Sequence, residues 1–404
     1  MSDIGLVSLE VVLLHLAILI VASRGLGEVF ARLGQSAIVG EILAGVLLGP
    51  AVLNLMGVSM DIWLFTVLGI YFLLFLAGYE EIDLSYLATA MRPRTLFAAV
   101  VSLFVPLSLY LVVLHHWLGI ELLPSVLVAS VFALTSLSVV LRCLVDLGIA
   151  KTPEGVSLLS TTILNEFMGL LVAGIALELL VRPGGEELAM LPIKIVAFFA
   201  LAALVGHFLV PRLITGVEKT FRVREASFAT LIALILLFSY FATLVGLHGA
   251  IGALVLGFTL SRAKNDPIVA KSVEQLKGFA YGIFIPIFFA GAGLYVTLDF
   301  LEIDPLAAAT IVLMVPAGKL VGGYLSMWVL PVKRRSPAIA YGQLAKGGVE
   351  FAILSLAVEA AALSTKLYSL TVLLIMGLTI AASTLLSIYV SSRRDWLSSY
   401  QPLG

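Results

Sequence analysis

The run TTILNEFMGLLV, residues 161–172, places Glu166 among apolar side chains, with no lysine or arginine within ten residues on either side. A charge at the centre of a bilayer costs several kcal/mol, so such a group faces a protein interior or a water-filled cavity. Thr162, Asn165, Glu166 and Gly169 recur at i, i+3, i+4 and i+7 and share one helix face. The carboxyl on that face either exchanges a proton or, when ionised, holds a cation. The plainer alternative is a carboxyl that only pairs with another helix.

Three further polar groups interrupt apolar runs. Thr135, Ser136 and Ser138 supply three hydroxyls in the four residues TSLS. Such hydroxyls bond to their own backbone and suit a broken helix whose freed carbonyls coordinate an ion. Serine and threonine are also ordinary packing residues between membrane helices. In VPAGKLVGG, residues 315–323, Lys319 lies too deep in its run to snorkel and needs a carboxylate or helix C-terminal carbonyls. A structural pairing and a transport role are both open for it. In LAKGGVEFAIL, residues 344–354, Gly347 and Gly348 form a plausible helix break. There Lys346 and Glu350 either pair at i, i+4 or offset the dipoles of facing half-helices. Glu41, Glu80, Glu81 and Asp83 fall near the ends of apolar runs and read as solvated or interfacial.

The elements that must position these groups are membrane helices. The chain has 404 residues, of which 61% are hydrophobic and 12% charged. A soluble domain carries about 25% charged residues, so the class is a polytopic, all-α membrane protein embedded in a lipid bilayer. A net charge of −1 gives no indication of a nucleic-acid partner. The single cysteine, Cys143, excludes an intrachain disulfide and a cysteine metal cluster. No phosphate loop, zinc-protease signature or nucleophile elbow is present, which disfavours an enzyme, and no cofactor is expected.

Thirteen apolar spans can be read, with TSLS in span five (123–141), Glu166 in span six (155–181), Lys319 in span eleven (305–330) and the glycine pair in span twelve (337–360). Spans eight and nine are hard to separate. Charge decides the count, because thirteen spans place 19 of the 24 lysines and arginines on one side. By the positive-inside rule the N-terminus is outside and the C-terminus cytoplasmic.

Span two (VGEILAGVLLGP) matches span nine (HGAIGALVLGFTLS), and span three (FLLFLAGYEEIDL) matches span ten (IFFAGAGLYVTLDF). Both matches pair span n with span n+7, an odd offset, so the copies are inverted. Inverted repeats characterise secondary transporters with a midplane site at the repeat interface. On this offset span five corresponds to span twelve, so both candidate broken helices occupy matching positions.

SAIVGEILAGVLLGP, FLAGYEEIDL, IPIFFAGAGL, GKLVGGYL and AKGGVEFAIL, in this order, resemble landmarks of the monovalent cation:proton antiporters, in the branch of sodium/proton antiporters and potassium-efflux systems. The resemblance covers nearly the whole chain. It implies two inverted six-helix repeats with crossed, discontinuous spans five and twelve, as in the NhaA-type fold, and a homodimer working by an elevator motion. Residues 1–90 and 226–300 would form the scaffold, residues 91–182 and 301–404 the moving core, and residues 183–225 the linker.

The resemblance assigns ion and proton binding to Glu166 and Asn165, with Thr135, Ser136 and Ser138. Na+ or K+ would sit at Glu166, Thr135 and Ser138. Lys319 would be a supporting charge, and Lys346, Gly347, Gly348 and Glu350 would shape the crossing. The implied function is exchange of Na+ or K+ for H+ by alternating access, electroneutral through one carboxylate, in the plasma membrane of a prokaryote. The alternatives are a sodium-coupled organic-solute symporter of the similar bile-acid-type fold and a non-transporting membrane sensor or channel.

Overall fold

The computed structural model describes residues 9–80, 92–150, 152–181, 191–245, 247, 249–330 and 336–392, and every regular element among them is helical. Nine helices among the described residues are long and apolar enough to cross a membrane. Backbone polar groups in lipid must be satisfied within their own segment, so apolar runs of this length become helices.

In chain order the helices are α1 (Leu9–Arg32), α2 (Ala37–Leu48), α3 (Met60–Glu80), α4 (Pro93–Leu111), α5 (Leu122–Ala133), α6 (Leu137–Asp146), α7 (Pro153–Val181), α8 (Leu191–Leu204) and α9 (Val210–Thr220). They continue as α10 (Ala226–Leu244), α11 (Gly249–Leu260), α12 (Pro267–Phe279), α13 (Ile285–Leu294), α14 (Pro305–Val329), α15 (Ala338–Gly342), α16 (Gly348–Glu359) and α17 (Thr365–Ser391). The two runs that were hard to separate are thus distinct helices, α10 and α11. Residues 246 and 248 between them lie outside the described residues, as do Lys151, Arg182, Lys333, Arg334, Arg335, Arg393 and Arg394 of the charge argument.

Local chemistry sets several boundaries. Asp266 caps α12 by accepting from the amides of Ile268 and Val269, with Pro267 at the first helical position. π turns at Val205–Leu209 and Ala280–Phe284 each precede a proline, Pro211 and Pro286. Proline has no N–H to continue the ladder, and the wider turn absorbs the lost bond.

Two groups of helices pack internally. In one, α1 packs on α2, α2 on α13, α3 on α11 and α13, and α10 on α11. In the other, α4 packs on α5, α7 and α14, α5 on α7, and α15 on α14 and α17. The first group is held by backbone-to-backbone approach at glycine. Gly45 of α2 meets Gly293 of α13, Gly78 of α3 lies on the backbone of Leu254 and Phe258 of α11, and Gly257 of α11 lies on that of Phe75 and Tyr79, with no room for a Cβ at any of the four. Small residues let membrane helices approach this closely. These glycines lie in the short motifs that match between the two halves of the sequence.

Two helices are interrupted. The chain leaves helical geometry at residues 134–136, between α5 and α6, and at residues 343–347, between α15 and α16. The interruptions touch, since the amide of Ser136 donates to the carbonyl of Ala345 at 3.0 Å.

Candidate ion-binding site

A broken helix exposes four carbonyls at one end and four amides at the other, with partial negative and positive charge respectively. Here the carbonyls that close α5 receive two ammonium groups. Lys346 Nζ donates to Phe132 O at 2.7 Å, to Val131 O at 3.1 Å and to Leu134 O. Lys319 Nζ donates to Ala133 O at 2.6 Å and to Thr135 Oγ1 at 2.7 Å. Carbonyls 131 to 134 are thereby all satisfied. Both lysines are fully buried. This answers what Lys319 finds so deep in its helix: carbonyls of a helix end, contributed from 186 residues away in sequence.

The amide ends receive carboxylates. Leu137 N, in the first turn of α6, donates to Glu166 Oε2 at 2.9 Å. Gly347 N, at the start of α16, donates to Glu350 Oε2 at 3.0 Å. Lys346 and Glu350 therefore serve opposite helix ends, the second of the two readings their spacing allowed. Each acid sits where the dipole favours negative charge, and each lysine where it favours positive charge.

Glu166 differs from the other three charges. Lys319, Lys346 and Glu350 are at most 1% exposed, whereas Glu166 is half-buried. It lines a small cavity of about 40 Å³ with Ala77, Leu137, Ile163, Phe167, Leu170, Leu254 and Val349. One water needs roughly 10–15 Å³ on this measure. Ala77 also lines a second cavity of about 440 Å³, whose wall includes Val139, Gly348 and Thr379. The carboxylate thus sits one residue from a large cavity.

The other predicted site residues divide. Thr135 is fully buried, and its Oγ1 lies 2.9 Å from Gln343 Oε1 and 3.2 Å from Gln343 O. Its one proton serves these two acceptors while its lone pair takes Lys319. The Ser136 hydroxyl fills the space where a Cβ on Gly347 would sit, so the break at Gly347 admits only glycine in this arrangement. The side chain of Ser138 lies outside the described residues. Asn165 points to α4, its Nδ2 donating to Ser102 Oγ at 3.0 Å. Asn165 Oδ1 and Thr162 Oγ1 are buried with no hydrogen-bond partner among the described residues. Buried polar oxygens are rarely left so.

Several participants escaped the sequence reading. Gln343 is one; its signal was an amide side chain beside AKGG in an apolar run. Thr379, which donates to Lys346 O at 3.0 Å, is another, hidden as an ordinary helix threonine. Glu41, read as solvated or interfacial, is not solvated: it is only 5% exposed and lies 3.3 Å from Arg24. It is buried because Gly27 and Gly40 bring α1 and α2 into close contact around it.

Paired helix breaks with acids and lysines at their ends, inside an apolar helical bundle, define a secondary-transporter type of site. The comparisons with known proteins go further. Residues 16–392 match the family described as sodium/hydrogen exchanger, transmembrane, and the chain belongs to that family. It is 27% identical over 385 residues to the Na(+)/H(+)-K(+) antiporter GerN of Bacillus cereus, covering 94% of this chain and 96% of the relative. It is 26% identical over 385 residues to a Na(+)/H(+) antiporter of Enterococcus hirae, covering 93% and 97%. The structure of the sodium proton antiporter MjNhaP1 from Methanocaldococcus jannaschii at pH 8 superposes with a TM-score of 0.70 at 16% identity, covering 94% of this chain and 96% of that one, which shows a common fold. The protein is therefore an integral membrane transporter of the cation/proton antiporter class and not an enzyme. Ions are the cargo of this class.

Proposed function

We propose that this protein exchanges one monovalent cation, Na+ or K+, for one proton by alternating access, with Glu166 as the shared site. The observation that carries the proposal is the placement of Glu166. It is the charged group at the helix breaks that borders a cavity, while the two lysines and Glu350 are sealed on helix ends. A carboxylate that holds either ion, never both at once, couples the two fluxes. Thr135, Ser136 and Ser138 supply neutral oxygens, the ligand type a hard cation takes, while the carbonyls that close α5 stay with the two lysines. To reach an ion, Thr135 turns its lone pair away from Lys319 and keeps Gln343 as its acceptor. The site's net charge is the same with either ion, so the exchange is electroneutral. The relatives named above, antiporters of Na+ and in one case K+, support the choice of cations. Proteoliposomes with an internal pH dye test the proposal: a Na+ or K+ gradient drives a pH change, and no response to either cation overturns it.

The architecture that serves this reading has thirteen spans. α5 with α6 makes span five, α8 with α9 span seven, α12 with α13 span ten, and α15 with α16 span twelve. The contact of α2 with α13 and of α11 with α3 supports inverted repeats. If spans two and three correspond to spans nine and ten, a two-fold axis turns one contact into the other. On this reading the first packing group is the scaffold and the dimer face, in a domain of residues 1–90 and 226–300. The second belongs to the core that moves, residues 91–182 and 301–404, linked by residues 183–225. The N-terminus faces outside and the C-terminus the cytoplasm of a prokaryote.

The large cavity is lined by the C-terminal parts of α1 and α3, whereas three hydrogen bonds join the two packing groups around the N-terminal ends of α3 and α17. Trp63 Nε1 of α3 donates to Glu359 Oε2 at the end of α16 at 2.7 Å. Tyr368 Oη of α17 donates to Ala292 O of α13 at 2.6 Å, and the Thr297 amide to Ser369 Oγ at 2.9 Å. These bonds join scaffold to core and hold this access state. Trp63→Phe removes one and shifts the population toward the opposite-facing state. Cys143, the single cysteine, lines the cavity. Its labelling by a membrane-impermeant maleimide falls severalfold in Trp63→Phe; unchanged labelling contradicts the latch.

A further inference from the structure

The 440 Å³ cavity carries four charged side chains among the described residues, Arg24, Glu41, Glu80 and Arg142. Glu80 is engaged by Lys277 at 2.8 Å. Glu41 is set into the wall where α1 and α2 meet, and its side chain is 6% exposed. Its partner is not locked in the same way. Arg24 makes one 3.3 Å contact to it through Nη1, and its side chain is 44% exposed. Strong guanidinium–carboxylate pairs are frequently bidentate, with two parallel bonds. Here the carboxylate is rigid and buried, and the cation opposite it is single-bonded and half in solvent.

We propose that Glu41 and Arg24 control admission of the cation to the cavity, Glu41 as the first attracting charge and Arg24 as its built-in competitor. This rests on the exchange reading above. A cation in the cavity competes with the guanidinium for Glu41, and Arg24 swings toward the solvent that already reaches it. The cation then passes by Ala77, which borders both cavities, to Glu166. A carboxylate in a low-dielectric wall raises the local cation concentration, a guanidinium beside it lowers it, and salt weakens both effects. Neither residue belongs to the site where the ions exchange, so each acts on the cation's apparent affinity and not on the turnover of the loaded carrier.

The test is transport kinetics in proteoliposomes over a range of Na+ or K+, at low and high choline chloride. Glu41→Gln keeps the size and an oxygen for Arg24, so α1 and α2 stay together. It raises the cation KM about tenfold at low ionic strength with kcat little changed. Arg24→Gln lowers KM by a similar factor. Both shifts shrink at high choline chloride. A pair that only holds two helices together gives shifts of the same sign in both variants, and no salt dependence. That result, or unchanged KM in both, overturns the proposal while wild-type exchange stands. Binding of radioactive Na+ to the detergent-solubilised protein needs no turnover and must follow the same order, tighter in Arg24→Gln and weaker in Glu41→Gln. A wild-type protein that neither transports nor binds Na+ or K+ removes the exchange reading itself, and this inference with it.

Discussion

Glu166→Gln abolishes cation/proton exchange and leaves the protein folded. The amide has nearly the size of the carboxyl, and its oxygen still accepts from the Leu137 amide that Glu166 now caps. A hydrogen bond to a charged group contributes about 1.5–3 kcal/mol and a neutral one about 0.5–1.5 kcal/mol, so the stability loss is on the order of 1 kcal/mol. The functional loss is complete, because an amide neither releases a proton nor neutralises a bound cation. Glu166→Asp separates the two roles. It keeps the charge but withdraws the carboxylate from Leu137 by one methylene, so exchange persists at a lower rate with an altered cation preference. The assay is dye-reported exchange, alongside thermal melting and size-exclusion profiles. Exchange at the wild-type rate in Glu166→Gln removes Glu166 from the mechanism.

Lys346→Met produces the largest loss of stability. Three carbonyls of the α5 terminus, Val131, Phe132 and Leu134, depend on Lys346 Nζ, and methionine offers them nothing. A buried acceptor left without its partner costs about 1–3 kcal/mol, so the variant loses several kcal/mol. Lys319→Met orphans fewer groups. Ala133 O loses its donor, but Thr135 keeps Gln343. The expected order of melting temperatures is wild type, then Lys319→Met, then Lys346→Met. Lys319→Arg keeps a cation on the same carbonyl and should retain exchange. Loss of exchange in a well-folded Lys319→Arg would make that lysine a proton carrier.

How much of this could be read from the chain depends on contrast. Glu166, Lys319 and the glycine pair stand out because a polar or flexible residue in an apolar run has few explanations, so the charged residues around the breaks and both breaks themselves were visible. The proposed correspondence of the two broken spans rests on two short matches, and those matches contain glycines at which helices pack closely. What was not visible is which partner each group takes. Lys346 lies more than 200 residues from the carbonyls it serves, and its i+4 neighbour Glu350 offered a nearer and equally charged alternative. Glu41 shows a related limit. Its position near a helix end allowed solvent or interface, and only the close fit of α1 against α2 buries it. Gln343 and Thr379 give no contrast at all, since an amide beside a break and a threonine in a helix are ordinary.

If one carboxylate carries both ions in turn, exchange does not respond to voltage, and this can be measured. Proteoliposomes loaded with a pH dye receive a Na+ or K+ gradient, first with the membrane potential clamped at zero and then with a potential imposed. One-for-one exchange at Glu166 moves no net charge, so the initial rate of pH change is the same in both conditions. A rate that rises or falls with the imposed potential means that more than one proton accompanies each cation, and a second carrier, with Lys319 the nearest candidate, replaces the single-carboxylate cycle.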